Sequence, residues 1–363
     1  MDARTERLPA ATFRLPVEKI RSGYYSDSYF VLTKELLEGE GRHPQVTMQV
    51  FGKHRGLLGG IDEAIAVLRE CAGRDTEGGA WEEGWPQLRV RALSEGEEVS
   101  PFETVMTIEG DYTLFAHLET VYLGSLARRS LVMSNVREVV DAANGKPVIF
   151  FPARHDHWLV QTGDGWAAHV AGAIGVSTDA QASWWGGRGV GTVPHSLIAA
   201  YGGDTVAAGR EFARRYRGEI NVVVLVDFHN DSTREAVAVA EALGDDLWGV
   251  RLYTSERLVD VALQGRPDEE RLHGVVPELA VAVREALDAA GHERVMIVVS
   301  GGFDVDKIAR FEAAGAPVDS YGVGSALLRG EFDFTADVVE LEGRPAAKAG
   351  RELRPNPRLR EVS

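Results

Sequence analysis

The chain has 363 residues, of which 26% are charged and 44% apolar, the balance of an ordinary soluble globular protein and too long for one small domain. A formal net charge of −16 excludes a general binder of nucleic acid or anionic membrane surfaces, so any phosphate ligand needs Arg, Lys and backbone N–H groups to reverse that field locally. The single cysteine, Cys71, excludes an intrachain disulfide and a four-thiolate zinc site and fits a reducing cytoplasm; no run is apolar enough to span a bilayer, and the opening MDARTERLPAATFRLP lacks an apolar signal core.

In chain order, YYSDSYFVLTKELLEG reads as a turn or strand running into a helix. VTMQVFG alternates like a half-buried strand, GGIDEAIAVLRECAG forms an amphipathic helical pattern, and LRVRALSEGEEV and FETVMTIEGDY read as two antiparallel strands. This predicts an N-terminal α+β sandwich domain over residues 1–125, and the stretch from Thr113 to Ala143 reads as helix. Residues 126–330 change character. Apolar β-type runs recur, each ending in a polar or glycine-rich tip: VIFFPARH from Val148, GVSTD from Gly175, GVGTVPH from Gly189, VVVLVDFHND from Val222, GVRLYTS from Gly249, VMIVVSGGFD from Val295 and SYGVGS from Ser320. Helical stretches separate most of them, as in DSTREAVAVAEALG and ELAVAVREALDAAG. Strand, tip and helix in repetition predict an irregular α/β barrel of six to seven strands with its chemistry at the strands' carboxyl ends. Residues 331–363 return to strand-like alternation and are expected to pack on the N-terminal domain.

Several tips carry residues suited to chemistry. Glycine, at 40 residues, exceeds the usual share of about 7%, and Gly301, Gly302, Gly322 and Gly324 fall at the last two tips. There the backbone can approach a phosphate closely, with the Ser325 hydroxyl as a further donor, although glycines also simply turn a chain. Asp227, directly after VVVLV, suits Mg2+ or ribose hydroxyls, whereas Asp231 reads as a helix cap. His195 is placed to act as base, ligand or phosphoryl acceptor, though a lone histidine is more often structural. Arg154 and Arg251 suit phosphate or carboxylate. The pair His155 and His157, with His195, His229 and Asp304, offers the ligand types of a zinc hydrolase barrel, but such a site has no need of glycine-filled late tips. A Schiff-base aldolase is disfavoured because Lys307 falls inside a helix, not at a tip.

Taken in series, DSYF, IEGDYTLFAHLET, FPAR, GTVPHS, LVDFHND, GVRL, VSGGFD, YGVGS and DFTADVVELEGRPAAKAG resemble the type II phosphoribosyltransferases, nearest to those acting on nicotinate. The resemblance covers nearly the whole chain and implies an α/β sandwich joined to an irregular barrel, with subunits paired so that active sites are shared in a homodimer or higher oligomer. It implies nicotinate and phosphoribosyl pyrophosphate as substrates, ATP as co-substrate and Mg2+ as cofactor, with no nucleic-acid or membrane partner. Position by position, Tyr29 from a neighbouring subunit and Phe151 would sandwich the pyridine ring, and Arg154 would hold its carboxylate or the product phosphate. Asp179 falls at a ring-binding position, His195 would be the phosphorylated histidine, Asp227 would contact ribose or metal, and Arg251 the phosphates. Gly301, Gly302, Gly324 and Ser325 would bind the 5′-phosphate. One departure is Tyr253, where the family often has an acidic residue after GVRL; quinolinate and nicotinamide remain alternative substrates, and a sugar-phosphate-binding barrel without catalysis a further reading.

Overall fold

In the computed structural model, which describes residues 6–362, the chain divides into two units, Met1–Ser134 with Gly330–Ser363, and Asn135–Arg329. The helix Glu119–Ala142 carries the chain through the first boundary. It starts later than the periodicity of 113–143 predicts. The Asp111 carboxylate accepts from the Thr113 N–H at 3.0 Å, and two 3-10 turns, Tyr112–Leu114 and Ala116–Leu118, come first.

The first unit is built on a six-stranded antiparallel sheet in the order Arg344–Pro345, Phe334–Leu341, Gln45–Gly52, Thr104–Asp111, Arg89–Ala92, Arg360–Glu361. Strands of the C-terminal tail therefore flank the three strands of the N-terminal region on both sides, so that the sheet ends in two short edge strands of two residues each. Ile61, Ala64, Ile65, Leu68 and Cys71 recur at helical spacing on Ile61–Cys71 and enter the core with Met48, Val50, Met106 and Ile108. The start of this helix is closed by Glu95, whose carboxylate accepts from the N–H groups of Gly60, Ile61 and Asp62 at 2.8, 3.1 and 3.3 Å.

The second unit holds a parallel sheet of six strands: β1 Val148–Phe150, β2 Gly175–Val176, β3 Val223–Leu225, β4 Gly249–Leu252, β5 Met296–Ser300 and β6 Ser320–Val323. Their order is β3-β4-β5-β6-β1-β2. Val, Ile and Leu dominate β3 to β5, as strands covered on both faces require. The run from Gly189 forms no strand, since Pro194 lacks a donor and Gly189 and Gly191 favour no extended state. It nevertheless bridges the two edges. The Val190 N–H donates to the Val176 carbonyl at 2.7 Å and the Val193 N–H to the Val223 carbonyl at 2.8 Å, so six strands and one irregular segment form a ring. Two connecting helices have aspartate caps. Asp231 accepts from the Arg234 N–H ahead of Ser232–Leu243, and Asp304 from the Lys307 N–H ahead of Val305–Ala313.

His117 is buried in the first unit, and burial, aided by the nearby Lys34 charge, pulls its imidazole down to about 3. It stays neutral in the folded chain while the unfolded chain takes up a proton below about pH 6.5, so its contribution to stability falls with pH through that window. The loss is at most about 1.4 kcal/mol per pH unit. Urea unfolding at pH 7.5 and pH 5 is expected to show a smaller acid loss for His117→Leu than for the natural chain; equal losses would remove His117 from the acid response.

Candidate active site

The carboxyl ends of the ring converge on a cavity of about 600 Å³. From the end of β1 come Phe151, Arg154 and His155; from β2, Ser177 and Thr178; from the bridging segment, Thr192 and His195; from β4, Arg251 and Tyr253; from β5 and β6, Ser300, Gly301, Gly302, Gly324 and Ser325. A second cavity of about 570 Å³ shares His195, Tyr253, Gly301 and Gly302 with the first and is further lined by Asp227, Phe228, Asn230 and residues 254–258.

Arg251 lines the first cavity and is held there by its neighbours. Its Nε donates to the Ser300 hydroxyl at 2.7 Å and its Nη1 to the Thr192 hydroxyl at 3.2 Å. The guanidinium carbon sits 4.9 Å from the Phe151 ring centroid and 5.4 Å from that of Tyr253, within cation–π range of both. Burial lowers its pKa to about 10, which leaves it charged at neutral pH. One side chain thus joins β4, β5 and the bridging segment and aligns two aromatic rings. Two of its five N–H donors are used by the protein, which fixes the plane of the guanidinium and leaves Nη2 for a ligand. Arg154 differs: among the described residues it has no hydrogen-bond or ion-pair partner, and it lines the same cavity beside Phe151.

The Phe151 ring lies against β6 because position 322 is glycine. A Cβ there would come within 2.6 Å of the ring, and the Phe151 N–H continues the ladder by donating to the Val323 carbonyl at 2.7 Å. Gly301 and Gly302, with φ of 95° and 63°, turn the chain after β5 in a conformation that other residues adopt at a cost. Lys307, one turn into the following helix, donates through Nζ to the Gly301 carbonyl at 3.0 Å.

His195 begins the short helix His195–Ala200, and its Nε2 is 2.9 Å from an oxygen of Asp227. The histidine is 39% exposed at its side chain and the aspartate 6%. A carboxylate only accepts, so the hydrogen belongs on Nε2 and the Nδ1 lone pair is left for a ligand.

The structure therefore gathers Phe151, Arg154, His195, Arg251, Gly301, Gly302, Gly324 and Ser325 at one cavity and Asp227 at its neighbour. Asp179 lines neither. Its carboxylate accepts from the Gly189 N–H at 2.9 Å and so anchors the bridging segment, while Ser177 and Thr178 face the cavity instead. Tyr29 belongs to the first unit, 60% exposed on the helix Ser28–Gly39. Among the described residues no three His, Cys, Asp or Glu side chains group to hold a metal ion. The zinc-ligand candidates are dispersed: His157 accepts from the Leu159 N–H, His229 is 2.6 Å from Glu235, and Asp304 caps its helix. Sequence reasoning missed Thr192 and Ser300, the supports of Arg251, and Glu256 in the second cavity. For Ser300 the available signal was a hydroxyl closing the apolar run VMIVV.

Residues 27–130 match the family model described as the quinolinate phosphoribosyl transferase N-terminal domain. The crystal structure of a nicotinate-nucleotide pyrophosphorylase from Pyrococcus furiosus matches with a TM-score of 0.79 and 32% identity, covering 96% of this chain and 85% of that one. Human nicotinic acid phosphoribosyltransferase shares the fold at a TM-score of 0.65 and 18% identity, over 90% of this chain and 77% of that one. Two nicotinate phosphoribosyltransferases of Mycobacterium tuberculosis are 32% and 31% identical over 271 and 309 residues, or 71% and 81% of this chain. These matches span 55% and 58% of the mycobacterial proteins, little more than half their length.

Replacing Gly322 by alanine forces the Phe151 ring off β6. A destabilisation of about 1–3 kcal/mol is expected in urea unfolding, from overpacking, and a crystal structure of the variant should show the ring displaced; an unmoved ring would mean that the strand yields instead.

Proposed function

Because the chain belongs to the type II phosphoribosyltransferase family, we propose that it is a nicotinate phosphoribosyltransferase, joining nicotinate to phosphoribosyl pyrophosphate with release of pyrophosphate. The observation that carries this reading is Arg154. It is the one arginine of the first cavity without a partner among the described residues, and it lines that cavity together with Phe151 and the two glycine turns. One uncommitted guanidinium suits a ring with one carboxylate. Quinolinate, with two, calls for a second uncommitted guanidinium, whereas Arg251 already spends two of its five N–H donors on Ser300 and Thr192.

In the proposed reaction the pyridine nitrogen attacks the anomeric carbon of the ribosyl donor. That nitrogen carries no proton, so no strong general base is required. Rate enhancement comes from alignment of nitrogen and carbon and from stabilisation of charge as the bond to pyrophosphate breaks. Phe151 orients the ring, and Tyr29 of a neighbouring subunit closes its other face. The turns at Gly301, Gly302, Gly324 and Ser325 hold the 5′-phosphate. Asp227 stabilises the positive charge developing on the sugar. ATP is the co-substrate that phosphorylates His195, with Nδ1 as acceptor, since Asp227 holds Nε2.

The donor set fits Mg2+ in a limited way. Asp227 and Glu256 bring carboxylates to the second cavity, and a hard cation that keeps waters and substrate phosphates as its other ligands needs no more from the protein. When bound it would offset charge on the departing pyrophosphate.

Product analysis with labelled phosphoribosyl pyrophosphate, offered nicotinate, nicotinamide and quinolinate with and without ATP, tests the reading; nicotinate mononucleotide as the main product is expected, and preference for quinolinate would overturn it. Arg154→Ala should weaken nicotinate at least about tenfold more than nicotinamide, a difference of about 1.4 kcal/mol. Equal losses would discard the carboxylate contact. For His195→Ala, ADP release coupled to nicotinate turnover should vanish while slow ATP-independent nucleotide formation persists; a variant that still couples removes His195 from the role.

A further inference from the structure

A cavity of about 390 Å³ lies wholly within the first unit, where the N- and C-terminal segments meet the helix Ile61–Cys71. None of the residues placed in the phosphoribosyl-transfer site lines it. Arg7 comes from the N-terminal segment, Arg69 from the helix and Arg360 from the C-terminal edge strand, so three guanidinium groups line the cavity against two carboxylates, Asp62 and Glu361. Both carboxylates are already engaged. Asp62, 4% exposed, accepts from Arg7 Nη1 at 2.8 Å and from the Leu8 N–H at 2.9 Å. Glu361 accepts from Arg89 Nη2 at 3.1 Å on the neighbouring strand. Arg69 sets its guanidinium carbon 5.0 Å from the ring centroid of Trp85, within cation–π range. Arg360 is exposed, donates through Nη1 to the Ser94 hydroxyl at 3.2 Å and forms no ion pair among the described residues, which leaves Nε and Nη2 for a ligand.

In a chain of net charge −16, an excess of guanidinium at one cavity reverses the field locally and favours an anion. Guanidinium N–H groups match phosphate oxygens in pairs, and a phosphate monoester carries about −1.5 to −2 charges at neutral pH. Leu8, Ile65 and Val362 add an apolar wall that inorganic phosphate would leave uncovered, and the volume is about two-thirds of that of the first barrel cavity. We propose that this cavity is a second ligand site of the protein, for an organic phosphate monoester no larger than a mononucleotide. Arg360 and Arg69 hold the phosphate, and the organic part lies against the apolar wall. Occupation ties the segment bearing Leu8 to the strand bearing Arg360, so the stability of the first unit responds to the concentration of that metabolite. The inference does not depend on which reaction the barrel performs.

The test is titration calorimetry of the full chain with adenosine 5′-monophosphate and with inorganic phosphate, for the natural chain, Arg360→Gln and the control Arg344→Gln, which removes the same charge from another exposed position of the tail. Binding at the barrel tips is common to all three chains and cancels in the comparison. Arg360→Gln is expected to weaken one class of adenosine 5′-monophosphate site at least about tenfold, a change of about 1.4 kcal/mol, while Arg344→Gln leaves it unchanged. Inorganic phosphate should bind that class at least about tenfold more weakly than the nucleotide. Identical isotherms for the three chains overturn the site, as does equal weakening in Arg344→Gln, and inorganic phosphate binding as tightly as the nucleotide overturns the role of the apolar wall. Crystals of the natural chain soaked with adenosine 5′-monophosphate should show its phosphate beside Arg360; nucleotide confined to the barrel would also overturn the proposal.

Discussion

A guanidinium held out of water by two aromatic rings is the constraint around which the candidate site is arranged. Arg251 is charged, largely buried and fixed at two nitrogens by hydroxyls from different parts of the ring. Burying such a charge is unfavourable unless hydrogen bonds and aromatic faces compensate, and here Ser300, Thr192, Phe151 and Tyr253 all do. The same contacts fix the ring of Phe151 and tie the irregular segment 190–193 to β4 and β5. Ring closure and active-site geometry thus share one anchor.

That arrangement separates two tasks that the sequence alone assigns alike. Arg154 and Arg251 both end or follow apolar runs, and both suit anionic ligands by residue type. The fold commits Arg251 to its neighbours and leaves Arg154 unpartnered. A corresponding division separates the two acidic tip residues: Asp179 anchors the bridging segment through Gly189, and Asp227 holds His195. On the proposed reading, recognition of a planar acid falls to the Arg154 guanidinium and the Phe151 ring within the barrel. On the same reading, anion binding falls to the glycine turns.

Much of this was legible beforehand because the signals are local. Apolar runs of four or five residues followed by glycine, aspartate or histidine located the ends of β1 to β6. Asp231 was readable as a cap, since an aspartate before a helical pattern has one common use. The tail's return to strand alternation foretold its place in the first unit's sheet. Two expectations needed revision for physical reasons. The run from Gly189 is too rich in glycine, and too near Pro194, to make a strand, and the helix expected from Thr113 waits until Glu119 because Asp111 draws the preceding chain into tight turns.

Periodicity and residue chemistry, read along the chain, were enough to set the order of strands, the tips that carry polar groups and the family they resemble, because each depends on neighbours within a few residues. The partner of each charge was decided only by the tertiary structure. Arg251 meets Ser300 across 49 residues and Thr192 across 59, and His195 meets Asp227 across 32. Such pairings depend on strand register and ring closure, which place distant residues within 3 Å or so of each other without leaving a pattern in the sequence between them.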